Sequence, residues 1–404
     1  MIKNTLPKYK YMSEEGIEII HETSLKVLEE YGLEYNHPEA FEALERAGAE
    51  VVNRETNHVR LPRGLVLECL AKAPSTFEMQ ARNHANDVII GGDWMACAPM
   101  YGSPFVHDLE TGARRDATLA DFQNFAKLAH MTPQIHNTGG TLVEPEDTDL
   151  DTRHLDMVYS LIKYSDKTFM GSVTSAANAR DTIEMAAILF GGKEAIAKKP
   201  AVISVINVNS PRRYDTRMLE SMLEYVKAGQ PVLVTPFSSA GAMSPAAMGG
   251  TLVQVNAEVL AGVTLAQIVN PGWLEAGLVS SYEKFVIDIE LLRMMEHFIQ
   301  GIPLDAEGLA LDAMEEVGPG GHFLGAAHTM RHYRTAFYRP IISDLMAFER
   351  WTQKGSKSAA QRANALCKKW LADYQEPKLD PGIDEGLREY IAKRKDEIKT
   401  NVGA

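Results

Sequence analysis

From residue 14 onward, Ile17, Ile20, Val27, Leu28 and Tyr31 recur at intervals that share one face of an α-helix; Ser13 is placed to cap its start and Gly32 to stop it. Pro38 opens a second predicted helix that ends at Ala47, just before Gly48. A third follows Pro62, carries Leu65, Leu67 and Leu70, and stops before Pro74. Residues 1–75 therefore read as a helical lead-in. From residue 76 the period changes to two. Phe77, Met79 and Ala81 alternate with polar residues, Asn-His-Ala-Asn at 83–86 breaks the run, and 88–90 resumes it, which predicts a β-hairpin. The stretch 91–108 mixes Gly, Pro and aromatic residues in the manner of a loop lining a site. Thr118 then caps a predicted helix over 119–129, with Asp121 in its first turn.

Beyond residue 130, short apolar runs at 141–143, 168–173, 201–208, 231–237 and 264–269 alternate with helical stretches beginning near 150, 176, 214 and 245. Strands separated by helices imply parallel pairing through right-handed crossovers, hence an α/β fold. The pattern alone suits either an open doubly wound sheet or a barrel. No GxGxxG or Walker sequence follows any strand, which weakens a nucleotide-binding reading. After residue 281 the pattern is mainly helical, and the amphipathic stretch 356–397, broken at 376–382, reads as an outer wrap.

A net charge of −13 argues against nucleic acid and anionic membrane as partners, since both require a basic face, and it favours cationic ligands. Cys69, Cys97 and Cys367 are too scattered for a disulfide framework or a CxxC metal site. A reducing compartment follows. The first sixteen residues hold no apolar core of the signal-peptide kind, and no run of about eighteen apolar residues is evident, so the expected location is the cytoplasm.

Residues 315–344 concentrate the candidate chemistry: His322, His328, His332, Arg331, Arg334 and Arg339 follow a Gly-Pro-Gly-Gly turn at 318–321. The turn presents His322 at a loop tip, and a helix predicted over 326–338 puts His328 and His332 on one face. GPGGHFL followed by HTMRHYR resembles the trimethylamine methyltransferase family, corrinoid-dependent enzymes that demethylate tertiary or quaternary amines. VIDIELL at 286–292, AGAMSPAAMGGTLVQVNAEVLAGVTLAQIVNPG at 240–272 and LETGARRDATLADFQNFAKLA at 109–129 are similar to the same family in the same order. The resemblance implies a TIM-type (β/α) barrel and methyl transfer from a methylated amine to the cobalt of a separate corrinoid protein. It also shows a departure. A segment of several tens of residues is missing after Gly272, which leaves the barrel incomplete and removes the region where pyrrolysine falls in some relatives. A quaternary, betaine-like donor is therefore expected over trimethylamine. The expected layout is a lead-in over 1–75, a barrel over 76–345 and a helical extension over 346–404.

In a parallel barrel, chemistry sits on loops after the strands. That rule selects loops 101–105, 137–140, 171–175, 207–213, 236–241 and 270–273, together with the turn before His322. His322 is the first catalytic candidate, against the plainer reading of an imidazole bonded to a nearby carbonyl. Glu258 is the second: a carboxylate among apolar neighbours either faces the site or pairs with a base. Asn256 shares its helix, and Arg212 is placed to hold a substrate carboxylate. Tyr101, Phe105 and Phe237, with Trp94 and Trp273, are candidates for a cation–π cage. His328 and His332 are assigned to substrate binding. Two histidines one turn apart can also ligate zinc, but HExxH is absent and no cysteine lies near, so no metal is expected. A homo-oligomer is expected. The rival readings are a shortened, non-catalytic relative that binds an amine or pairs with another subunit, and a histidine-based zinc enzyme.

Overall fold

The computed structural model describes residues 1–5, 12–271, 282–299, 305–317, 322–332, 334–335 and 338–402. Five extended segments lie side by side in chain order. Ser103 bridges Val143 and Asn137 bridges Thr168, both in parallel. Phe169–Met170 pairs with the start of Val202–Val208, and that strand pairs with Val232–Pro236 in a register running from Ser204↔Val232 to Val208↔Pro236, all parallel. Helices Leu119–Met131, Arg153–Tyr164, Ala176–Phe190 and Thr216–Lys227 occupy the crossovers, and Met248–Val269 follows the last strand. This is barrel order. Among the described residues no strand follows Pro236.

Alternation along the strands sorts the side chains into two layers. Val202, Ile206, Val208, Val232 and Val234 join the main core beneath the helices, whereas Ile203, Val205 and Leu233 pack on the inner face with Phe77 and Met79 of the predicted hairpin. Both faces are buried, which explains why these strands read as continuous apolar runs.

The run 264–269, expected as a strand, is instead the end of the Met248–Val269 helix. Short apolar runs do not distinguish a strand from a buried helix by period, and this helix is apolar on most sides. It is also long and apolar enough to cross a membrane, contrary to expectation, yet it packs against Glu14–Lys26, Arg63–Lys72 and Val232–Pro236 and is largely buried. Gly262 permits its close approach: a Cβ there would lie 2.4 Å from the Tyr214 hydroxyl oxygen and 2.8 Å from a Val234 methyl.

The lead-in carries the expected helices, Glu14–Lys26, Pro38–Arg46 and Arg63–Lys72, but also strands Leu33–Tyr35, Glu50–Asn53 and His58–Arg60, too short to show a period. Leu33–Tyr35 pairs in parallel with Arg213–Tyr214. Tyr35 and Tyr214 stack with centroids 5.3 Å apart, and their hydroxyls donate to the carbonyls of Ala261 at 3.1 Å and Glu258 at 2.7 Å. The lead-in is thereby fastened to the helix after the last strand. At the other end, Pro381–Val402 packs on Arg153–Tyr164 and Ala176–Phe190, where buried Asp181 accepts from Tyr390 at 2.6 Å, Arg394 at 2.7 Å and His154 at 2.9 Å.

Candidate functional site

The inner face of the barrel holds a cavity of about 370 Å³, lined by Met79, Trp94, Met95, Cys97, Asn137 and Met170 among others. It lies toward the strands' N-terminal ends, opposite the strand-end loops expected to carry the site, since Ile203 and Leu233, the second residues of their strands, also border it. The hairpin Thr76–Met79/Val88–Gly91 forms one wall. Gly91 closes it with φ +99°, at a point where a Cβ would sit 2.3 Å from the Ser75 carbonyl oxygen. Trp94 and Met95 are held by pairing with Ile2 and Lys3, and Lys3 Nζ lies 5.5 Å from the Trp94 ring centroid.

Cys97 sets the next wall and is bonded to His136, which does not itself line the cavity. The Cys97 N–H donates to His136 Nδ1 at 3.0 Å, which demands a neutral imidazole with its proton on Nε2. Burial, then the nearby amino terminus and Lys167, lower the His136 pKa to about 4, and burial pushes the Cys97 thiol up. Asn137 is fixed by donating to Thr168 Oγ1 at 3.0 Å and accepting the Gly139 N–H at 2.8 Å. Tyr101 packs against the inner cluster, its phenol raised to about 12 by burial. The lining is thus largely apolar, aromatic and thioether. It suits a methylated cation and offers no strong acid or base.

At the C-terminal rim, Glu258 is fully buried and accepts from the Ser210 hydroxyl at 2.7 Å, the Arg212 N–H at 2.8 Å and the Gln254 amide at 3.0 Å. Burial raises its pKa against those bonds. Ser238 donates to Ser210 at 2.7 Å, extending the chain toward the loop after the last strand. Glu258 therefore secures the 210–212 turn, in which Arg212 takes φ +51°. A smaller polar cleft of about 270 Å³ opens beside loop 171–175, lined by Glu144, Arg153, Ser172, Thr174 and Asn178.

The expected convergence of strand-end loops with His322 is not what the fold builds. The Arg212 guanidinium donates to the Gly32 carbonyl at 3.2 Å and lies 5.9 Å from the Tyr31 ring, turned to the lead-in. Phe105 is exposed, with Arg114 stacked 3.8 Å from its centroid, and Phe237 is 64% exposed. Neither is part of a cage. Asn256 is half-buried, and Asn270 caps the 248–269 helix, so loop 270–273 follows a helix and not a strand. His322 is exposed at the start of the Phe323–Gly325 turn, and its imidazole has no hydrogen-bond partner among the described residues. His328 and His332 lie on the short helix Ala327–His332 beside Glu307, and neither borders the cavity. The candidates Gly272, Trp273 and the 318–321 turn fall outside the described residues, as do Tyr333, Ala336 and Phe337 of the predicted helix.

Of the aromatic candidates, Trp94 lines the cavity and Tyr101 packs against the inner cluster beside it. Met79, Cys97, His136, Asn137 and Met170 were missed individually. The signals were the period of two, which assigns a face, and the site-like composition of 91–108.

A parallel (β/α) architecture with a small apolar cavity on its inner face defines an α/β-barrel protein with room for one small ligand. The chain belongs to the trimethylamine methyltransferase family, whose profile matches residues 1–272 and 271–399. It is 37% identical over 477 aligned positions to the glycine betaine methyltransferase of Desulfitobacterium hafniense, covering 97% of this chain and 98% of that one. It is 30% identical over 275 positions to the proline betaine:corrinoid methyltransferase of Eubacterium limosum, covering 65% and 55%. The monomethylamine methyltransferase of Methanosarcina barkeri superposes with a TM-score of 0.40 at 9% identity, over 90% of this chain and 95% of that one. The two family matches meet at residues 271–272, and the first alignment spans more positions than the 404 residues here, as expected of a chain lacking an internal segment.

Proposed function

We propose that this chain transfers a methyl group from a quaternary methylammonium compound of the betaine type to the cobalt of a separate corrinoid protein. The observation that carries this reading is the 37% identity to a glycine betaine methyltransferase along nearly the whole of both chains. In the step, the N–CH₃ bond breaks, the methyl carbon bonds to the acceptor's electron pair, and the amine leaves as a neutral tertiary amine holding the pair of the broken bond. A quaternary nitrogen needs no proton to become that leaving group. A cavity without a strong acid is therefore chemically sufficient.

The corrinoid supplies the methyl-accepting cobalt. This chain's part is orientation and exclusion of water. The cavity volume, about 370 Å³, falls within the ordinary range for small-ligand sites. Trp94 offers a ring face to the cation, and Met79, Met95 and Met170 pack around N-methyl groups. Glu258 acts at a distance, as the buried carboxylate that shapes the rim.

The test combines the purified chain with a reduced cognate corrinoid protein and a panel of betaines, following cobalt absorbance and the demethylated amine. Methylated cobalt and tertiary amine in equal amounts are expected with at least one quaternary donor. Folded protein that methylates cobalt with none would overturn the reading in favour of a non-catalytic subunit, the role suggested by the missing segment.

A further inference from the structure

The helix Ala327–His332 carries His328 and His332 one turn apart, with ring centroids separated by 4.4 Å. Both face Glu307, which begins the turn of helix Ala306–Leu309 after its Asp305 cap. His332 Nε2 lies 2.7 Å from Glu307 Oε1, and His328 Nε2 lies 2.9 Å from the Glu307 carbonyl oxygen. One ligand atom from each of the three residues falls within 4.8 Å of the others. We propose that Glu307, His328 and His332 form a binding site for a divalent transition-metal ion, with zinc the best match.

The donor chemistry selects the metal. Two imidazoles and one carboxylate form a three-ligand zinc set whose fourth position is left to water, whereas magnesium and calcium prefer oxygen alone. Tetrahedral bonds of about 2.0–2.1 Å place ligand atoms roughly 3.4 Å apart, so the trio needs only modest side-chain closure. Glu307 is exposed and both histidines are half-buried, so this closure does not disturb the core. Arg331 is the competing cation, at 3.0 Å from Glu307. It also reaches Asp312 at 3.2 Å and keeps that partner when Glu307 turns to a metal. Bound metal would cross-link two short helices that precede and follow the 318–321 turn and His322 in the chain. The proposal is independent of methyl transfer, and its readout is metal binding.

The test uses the full chain, stripped with a chelator and titrated with Zn²⁺ in competition with a chromogenic chelator. One Zn²⁺ per chain is expected, with affinity lowered at least about tenfold in His332→Ala and in Glu307→Gln, and unchanged in His322→Ala. Zinc-edge X-ray absorption on the parent protein, which does not depend on any variant folding, is expected to show two imidazoles in a nitrogen and oxygen shell. Absence of stoichiometric binding by folded protein, a shell without paired imidazoles, or affinity unmoved in both ligand variants would each overturn the site.

Discussion

Cys97 and His136 hold each other by reciprocal bonds: the Cys97 N–H donates to His136 Nδ1 at 3.0 Å, and the Cys97 carbonyl accepts the His136 backbone N–H at 2.8 Å. The segment bearing Trp94 and the wall residue Cys97 is thereby tied to the extended segment that begins at Asn137, through an imidazole that stays neutral.

That dependence predicts acid sensitivity. Histidine in an unfolded chain titrates near 6.5, roughly, whereas His136 in the folded protein is held down to about 4. Between these values the unfolded state binds more protons, so stability falls as pH falls, by roughly 3 kcal/mol across the whole window. Urea unfolding from pH 7 to 4 should show this loss. His136→Asn, whose side-chain oxygen can accept from Cys97, should flatten the slope; the same slope in the variant would assign the proton uptake to other groups.

Trp94 is the cavity's aromatic cation receptor in the proposed reaction. Trp94→Ala should weaken donor binding by roughly 0.5–2 kcal/mol, or about two- to thirtyfold in KM, with a smaller change in kcat. Steady-state demethylation with glycine betaine measures both. A variant with unaltered KM would place the donor elsewhere.

Removing the Glu258 carboxylate orphans three donors, from Ser210, Arg212 and Gln254, in a buried setting. Glu258→Ala should cost about 3 kcal/mol, and Glu258→Gln less, because one acceptor remains and a desolvated charge is gone. Because burial raises this carboxyl's pKa, its own contribution to stability declines as pH rises from the unfolded carboxyl value to the folded one. Thermal denaturation of both variants at pH 5 and 7.5 checks the ranking; equal stability of Glu258→Ala and the parent would contradict it.

Gly262→Ala should destabilise the protein by about 1–3 kcal/mol, because the new methyl meets the Tyr214 hydroxyl and Val234. Combining it with Tyr214→Phe removes the nearer clash. The double variant should therefore be more stable than the sum of the single losses predicts, and strict additivity in denaturant unfolding would refute that contact.

Where a run was long or punctuated, the elements were readable in advance. Thr118 with Asp121 forms a capping box opening Leu119–Met131, and Gly191 ends Ala176–Phe190 in the left-handed region. Short or uniformly apolar stretches misled: residues 264–269 carry no period that separates strand from buried helix, and Leu33–Tyr35 spans too few residues to show one. The candidate site was legible as a stretch, 91–108, but not as residues. His322, marked by its glycines, lies at the surface, while Asn137, at the edge of a selected loop, and Met170, inside an apolar run, border the cavity.

Family membership, the parallel α/β order and the break after Gly272 follow from the sequence itself, because motif order, element period and chain length are properties of a line of residues. Which histidine is buried, what Arg212 and Glu258 bind, and that Glu307 meets His328 and His332 were decided only by the tertiary structure. Those relationships join residues up to 180 positions apart, whose meeting depends on how helices cross and where strands align. Side-chain chemistry lists the available partners, and packing chooses among them.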